Sequence, residues 1–163
     1  MPPTEGELEV VVGMRLDEKG MTLAVAESCT GGLIGHRITN VPGSSHYYRG
    51  SITAYASDVK EALLSVRGET LARYGAVSAQ TAREMAEGVR AAMDADLGLS
   101  VTGIAGPTGG TEEKPVGLVY IGLAAEDGDH IEQHVFGEDR WGNKARAAEA
   151  ALDLARRYLE GEL

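Results

Sequence analysis

Short apolar segments of strand length alternate along this chain with stretches of helical period, and that alternation limits the fold more than any other feature of the sequence. An apolar strand set between amphipathic helices buries both its faces only when helices cover a sheet on either side. Thr4 and Glu7 have capping-box spacing, and Leu8, Val11, Val12 and Leu16 recur at helical intervals until Gly20, which predicts a helix from Glu5 to Lys19. MTLAVAES then reads as a buried strand, GGLIGHRITN as a helix starting at its glycines, NVPGSSHYYRG as turns and SITAYA as a second strand. Asp58 opens a short helix through VKEALLSV, with Lys60 in its first turn. Ser78 caps the longer AQTAREMAEGVRAAMDA, which leads into the strand LGLSVTGIA and the loop GPTGGTEEKPVG. LVYIGLAA and HIEQHVFG form a hairpin about Asp127 and Gly128, and an amphipathic helix from Asn143 to Leu159 closes the chain. The order α, β, α, β, α, α, β, β, β, α predicts one domain over residues 1–163, a three-layer α/β/α arrangement with a mixed, mostly parallel sheet.

Composition removes several classes of function. A net charge of −10 argues against a broad nucleic-acid-binding face, although an acidic protein can still hold a local phosphate pocket. No apolar run approaches the roughly 20 residues of a membrane span, and MPPTEGELEV lacks the basic-then-apolar pattern of a signal peptide. The lone cysteine, Cys29, excludes an internal disulfide and a cysteine-based zinc cluster, so a reducing cytoplasm is expected. No H-E-x-x-H motif occurs and His130 and His134 fall on a strand, so no metal and no cofactor are expected. The 22 glycines gather around two short segments, and these are where function is sought.

In an open α/β sheet, ligands bind beyond the carboxyl ends of the strands. Three segments fall there. In AESCTGG, Ser28 sits where a strand runs into a helix, so either it projects beside main-chain N–H groups that can hold an oxyanion or phosphate, or it and Thr30 only cap the helix. Ala26 replaces the first glycine of a hydrolase elbow, and no histidine is placed beside Cys29, which reads as a small buried residue. YASDVK sets Tyr55 at a strand end and Lys60 one turn into a helix: a surface lysine beside a packed tyrosine, or a base whose pKa burial has lowered, with the tyrosine to orient it or pass its proton. The run Gly103 to Gly117 is a loop whose backbone can approach a ligand, or an elaborate turn; it is not a P-loop, since no G-K-[ST] follows.

Taken together and in order, AESCTGG, Y-x-x-x-x-K, GAVS, SVTGIAGPTGG and EKPVG resemble the CinA C-terminal domain family, many of whose members are nicotinamide mononucleotide deamidases. The likeness runs from about Glu7 to Leu159. It implies a metal-independent amidohydrolase of pyridine-nucleotide salvage, with Ser28 as nucleophile, Lys60 as general base and Tyr55 as its helper. It also implies the stand-alone form, without the molybdopterin-protein-like domain that precedes this one in some relatives, and a homo-oligomer. Chemistry then suggests that Cys29, Thr30 and Gly31 supply oxyanion donors, and that Gly103, Ile104, Ala105, Gly106, Gly109 and Gly110 hold the nucleotide. Its phosphate would meet main-chain N–H groups or Arg140. A protein of the same fold that binds a nucleotide without turning it over is the alternative.

Overall fold

A computed structural model describes residues 2–163. The elements are α1 (Leu8–Lys19), β1 (Leu23–Glu27), α2 (Leu33–Thr39), a 3-10 turn (Ser44–His46), β2 (Tyr48–Thr53), α3 (Ser57–Leu64), α4 (Gly68–Tyr74), α5 (Ala79–Ala92), β3 (Leu97–Gly103), β4 (Leu118–Ala125), β5 (Gly128–Val135) and α6 (Arg140–Leu159). The sheet order is β2-β1-β3-β4-β5, with β1 parallel to both its neighbours and β3, β4 and β5 antiparallel in turn. The three-layer α/β/α arrangement expected from the sequence is the one that forms.

Strand alternation sorts the two layers. Leu23 and Val25 of β1 point into the core shared with α1, α2 and α6, whereas Ala24 and Ala26 point the other way, with Leu64, Met85 and Val89 of α3 and α5. The second face is built from small residues, and α5 lies close upon it: Ser100 Oγ donates to the Ala82 carbonyl at 2.6 Å, and a Cβ on Gly98 would lie 2.1 Å from the Ala86 carbonyl oxygen. Because β2, β1 and β3 run parallel and adjacent, Ser28, Tyr55 and the start of the glycine loop emerge at one end of the sheet.

Several boundaries differ from the sequence expectation. Only part of the capping box forms: the Glu7 carboxylate accepts the Thr4 N–H, no side chain caps the helix, and α1 starts at Leu8 instead of Glu5. Pairing with β1 draws β2 back to Tyr48, through residues whose Arg-Gly composition reads as turn. The seven-residue α4, which starts at Gly68 with no side-chain cap, is too short to show a period and was not expected. Asp139 caps α6 by accepting the Gly142 N–H at 2.7 Å, so that helix begins at Arg140, three residues earlier than Asn143. Ser78 caps α5 as expected, accepting from the Thr81 N–H at 3.1 Å.

One close approach holds the Lys60 helix in place. A Cβ on Gly88 of α5 would lie 1.8 Å from the carbonyl oxygen of Leu64, the last residue of α3, and main chain cannot give way there as a side-chain tip can. Ala is otherwise the better helix former by roughly 0.5–1 kcal/mol. Gly88→Ala is therefore expected to destabilise the protein by about 2–3 kcal/mol through overpacking. Gly137→Ala, where a Cβ meets nothing within 4 Å, should change stability by less than about 0.5 kcal/mol. Urea unfolding of both variants checks the pair of outcomes.

Candidate active site

The turn joining β1 to α2 is organised by Glu27. Its carboxylate, with no exposure to solvent, accepts the Thr30 hydroxyl at 2.6 Å and the main-chain N–H groups of Gly32 (3.1 Å), Ile34 (3.1 Å) and Gly35 (3.0 Å). Four donors around one carboxylate satisfy a charge that would otherwise be costly to bury. The chain reverses between them through Gly31 (φ 62°) and Gly32 (φ 105°), a left-handed path that residues with a Cβ rarely take. The Gly31 N–H closes the turn on the Ser28 carbonyl at 3.1 Å. The main-chain N–H groups of Cys29 and Thr30 meet no protein acceptor among the described residues.

Lys60 enters from the first turn of α3, the helix that follows β2, and is only 1% exposed. Its Nζ lies 2.9 Å from Ser28 Oγ, 2.9 Å from the Ala54 carbonyl oxygen and 3.0 Å from the Tyr55 carbonyl oxygen. Burial holds its pKa below the ordinary lysine value of 10.5, and a negative charge at Cys29 would oppose that shift. This arrangement accommodates both protonation states. An ammonium donates to all three oxygens, whereas a neutral amine gives two N–H groups to the carbonyls and turns its lone pair toward the Ser28 hydroxyl.

Cys29 faces the other way. Its side chain belongs to the hydrophobic core on the α1, α2 and α6 side, and burial pushes the thiol up to about 11, so it is protonated at neutral pH. Tyr55 reaches Lys60 through its main-chain carbonyl alone. Its phenol is 64% exposed and accepts from Arg140 Nη2 at 3.3 Å, with no hydrogen bond to Lys60 or Ser28. Thr30 spends its hydroxyl on Glu27.

The glycine loop divides into two parts. Gly103 still belongs to β3, and Ile104 is paired through its main chain with Leu118 and Gly117. The Ala105 and Gly106 carbonyls accept from α6, from Asn143 Nδ2 at 2.9 Å and Arg140 Nη1 at 2.7 Å. Gly109 and Gly110 are exposed and make no hydrogen bond to the Ser28 turn. A cavity of about 540 Å³ lies elsewhere, between the end of α3 and α5, lined by Leu64, Arg67, Arg83 and Glu87 among others. His130 and His134 sit half-buried on the edge strand β5. Among the described residues, no three His, Cys, Asp or Glu side chains converge as a metal site requires. No helix there is long and apolar enough to cross a membrane.

Sequence reasoning gave no role to Glu27, Asn143 or Lys144. Glu27 had a signal, a carboxylate closing an apolar strand just before a glycine turn. Asn143, where the sequence periodicity starts the helix, is buried inside the first turn, with Nδ2 on Ala105 and Oδ1 accepting the Glu138 N–H. Lys144 brings its amine to the exposed side of Gly31, a contact that no spacing announces.

Known proteins are similar to this chain over most of its length. A CinA-like protein of Salinibacter ruber is 53% identical over 152 residues, 93% of this chain and 37% of that protein. The chain thus spans less than two-fifths of the length of such curated relatives. The crystal structure of a competence/damage inducible protein CihA from Agrobacterium tumefaciens superposes with a TM-score of 0.89 at 36% identity, covering 98% of this chain and 99% of that one. A competence-damaged protein (CinA) superfamily structure from Klebsiella pneumoniae gives 0.92 at 28% identity, with 98% and 99% covered. The family model for the CinA C-terminal domain matches residues 5–159, and on these grounds the chain belongs to the CinA C-terminal domain family.

Proposed function

We propose that this protein hydrolyses the carboxamide of nicotinamide mononucleotide, giving nicotinate mononucleotide and ammonia, with Ser28 as nucleophile and Lys60 as general base. The observation that carries this reading is the buried contact of 2.9 Å between Ser28 Oγ and Lys60 Nζ, made to an amine whose proton affinity burial has lowered. A serine hydroxyl attacks an amide only when a base takes its proton. The substrate is inferred from the five motifs that the chain shares with the family.

Ser28 Oγ bonds to the carboxamide carbon as its proton passes to Lys60 Nζ. The carbonyl oxygen becomes an oxyanion, which the Cys29 and Thr30 N–H groups receive. As the intermediate collapses, the C–N bond breaks and the Lys60 proton leaves with the nitrogen as ammonia. A water then gives a proton to Lys60 while its oxygen attacks the resulting ester. Ser28 departs with that proton, and nicotinate mononucleotide is released. Of the donors expected around Cys29 to Gly31, Gly31 drops out because its N–H already closes the turn. Tyr55 helps as a carbonyl acceptor that fixes the amine, and its phenol braces Arg140.

Ammonia release from nicotinamide mononucleotide is the direct measurement. Ser28→Ala should lower turnover at least ~10³-fold, the usual loss for a covalent nucleophile. Cys29→Ala should keep most activity, since its thiol is protonated and points into the core. The opposite pattern would overturn the assignment, and tight binding of the mononucleotide by the unaltered protein without ammonia would favour a binding protein of this fold.

A second expectation concerns pH. Only neutral Lys60 accepts the serine proton, so kcat/KM should rise with pH through one ionisation whose midpoint lies below 10.5, and Lys60→Arg, which stays protonated, should be inactive. The same shift enters stability. Between the lowered folded value and 10.5 the unfolded chain binds more protons than the native one, so the Lys60 contribution grows as pH rises across that window and is absent below it. The stability of the unaltered protein relative to Lys60→Met should therefore increase with pH there. A difference independent of pH would mean that Lys60 titrates as an exposed lysine.

A further inference from the structure

Helix α6 begins beside the candidate site, and its basic residues fall into two groups. Arg146 is paired with Glu138, Arg156 with Asp153, Glu160 and Glu162, and Arg157 with Glu132 and Asp153. Arg140 and Lys144 have no carboxylate partner among the described residues, in a chain whose net charge is −10. They stand four residues apart and so share one face of the helix. The start of α6 is fixed to the glycine loop by Asn143 and Arg140, so the helix face that carries these two cations is set beside the site.

The two are not equivalent. Arg140 uses Nη1 on the Gly106 carbonyl and Nη2 on the Tyr55 hydroxyl, tying the loop after β3 to the segment after β2. Lys144 has no hydrogen-bond acceptor among the described residues. Its Nζ lies 3.7 Å from where a Cβ on Gly31 would stand, and beyond Gly31 and its chain neighbours no other heavy atom comes within 4 Å of that point. Its charge also reaches the turn interior, where it favours a negative Cys29. Gly31 is exposed and three residues on from Ser28, so a ligand with its amide at Ser28 and an anionic group farther along the turn would bring that group to Lys144.

We propose that Lys144 is the residue that binds the phosphate of the substrate, and that Arg140, which the sequence offered for the phosphate alongside main-chain N–H groups, is a positioning residue that holds the glycine loop against Tyr55. This rests on the mononucleotide reading above. An ammonium with three free donors suits a phosphate monoester as a point charge, and Gly31 leaves the approach to it open.

The test compares ammonia release from nicotinamide mononucleotide and from its riboside, which lacks the phosphate, in the unaltered protein, Lys144→Gln, Arg140→Gln and the control Arg146→Gln. Binding of ribose 5-phosphate is titrated alongside. Lys144→Gln should lower kcat/KM for the mononucleotide by roughly 10- to 100-fold, as loss of a charge-assisted contact does, and weaken ribose 5-phosphate by a similar factor. Its riboside value should stay within about threefold, because no contact with that compound is lost. Arg140→Gln should depress both substrates together, and Arg146→Gln neither. Equal effects of Lys144→Gln on both substrates, no effect on either, or a phosphate-selective loss at Arg140 in place of Lys144 would overturn the assignment. If the unaltered protein releases ammonia from neither compound, the deamidase reading fails and the ribose 5-phosphate titration alone decides: binding lost in Lys144→Gln upholds the anchor, and binding absent from the unaltered protein or unchanged in the variant overturns it.

Discussion

The Glu27 carboxylate, buried at the end of β1 and in no ion pair among the described residues, is the constraint on which the site depends. An isolated charge in such a place costs several kcal/mol, and this one is accommodated because a hydroxyl and three main-chain N–H groups converge on it. Each of those donors belongs to the turn or to the first residues of α2, so the carboxylate sets the path of the chain from Thr30 to Gly35. Ser28 is the residue next to it and inherits that rigidity. Helix α2 is only seven residues long and has no side-chain cap at Gly32, so it relies on Glu27 for the donors that a cap would have satisfied.

The second support comes from across the sheet. Parallel pairing of β1 with β2 brings the carbonyls of Ala54 and Tyr55 beside the Ser28 turn, and the Ala54 N–H binds the Glu27 carbonyl at 2.8 Å. Lys60 spans what remains by reaching back from α3 to two carbonyls and one hydroxyl. The far end of α3 is pressed against Gly88 of α5, and α5 lies on the smallest residues of the sheet. A buried lysine is thereby held by packing on one side and by polar contacts on the other, which is how a scaffold keeps a basic group in place while burial lowers its proton affinity.

Arrangement also settles which of two adjacent nucleophiles faces the amine. Ser28 and Cys29 differ by one position and point to opposite sides of the turn: one meets Lys60, and the other joins Val25, Ile34 and their neighbours in the core. Intrinsic reactivity would favour the thiol, but burial keeps it protonated. The contrast between Arg140 and Lys144 is of the same kind, since two cations on one helix face differ in whether the protein already uses their donors.

The sequence by itself determined the layer order, the mixed sheet and the strand ends at which Ser28, Tyr55 and the glycine loop emerge, because apolar periodicity and glycine turns are local properties written in neighbouring residues. It also placed Ser28 and Lys60 in one reading, through motifs quoted in order. It did not determine the start of α1 at Leu8, the seven residues of α4, or β2 from Tyr48, where pairing and packing outweigh local preference. Tertiary structure alone decided that Glu27 gathers the turn, that Tyr55 meets Lys60 through its carbonyl while its phenol meets Arg140, and that Lys144 lies beside Gly31 from 113 positions away. The physical reason is common to all three: a hydrogen bond or a charge contact depends on where a side chain's tip lies, and for residues brought together by sheet pairing and helix packing no local pattern encodes that place.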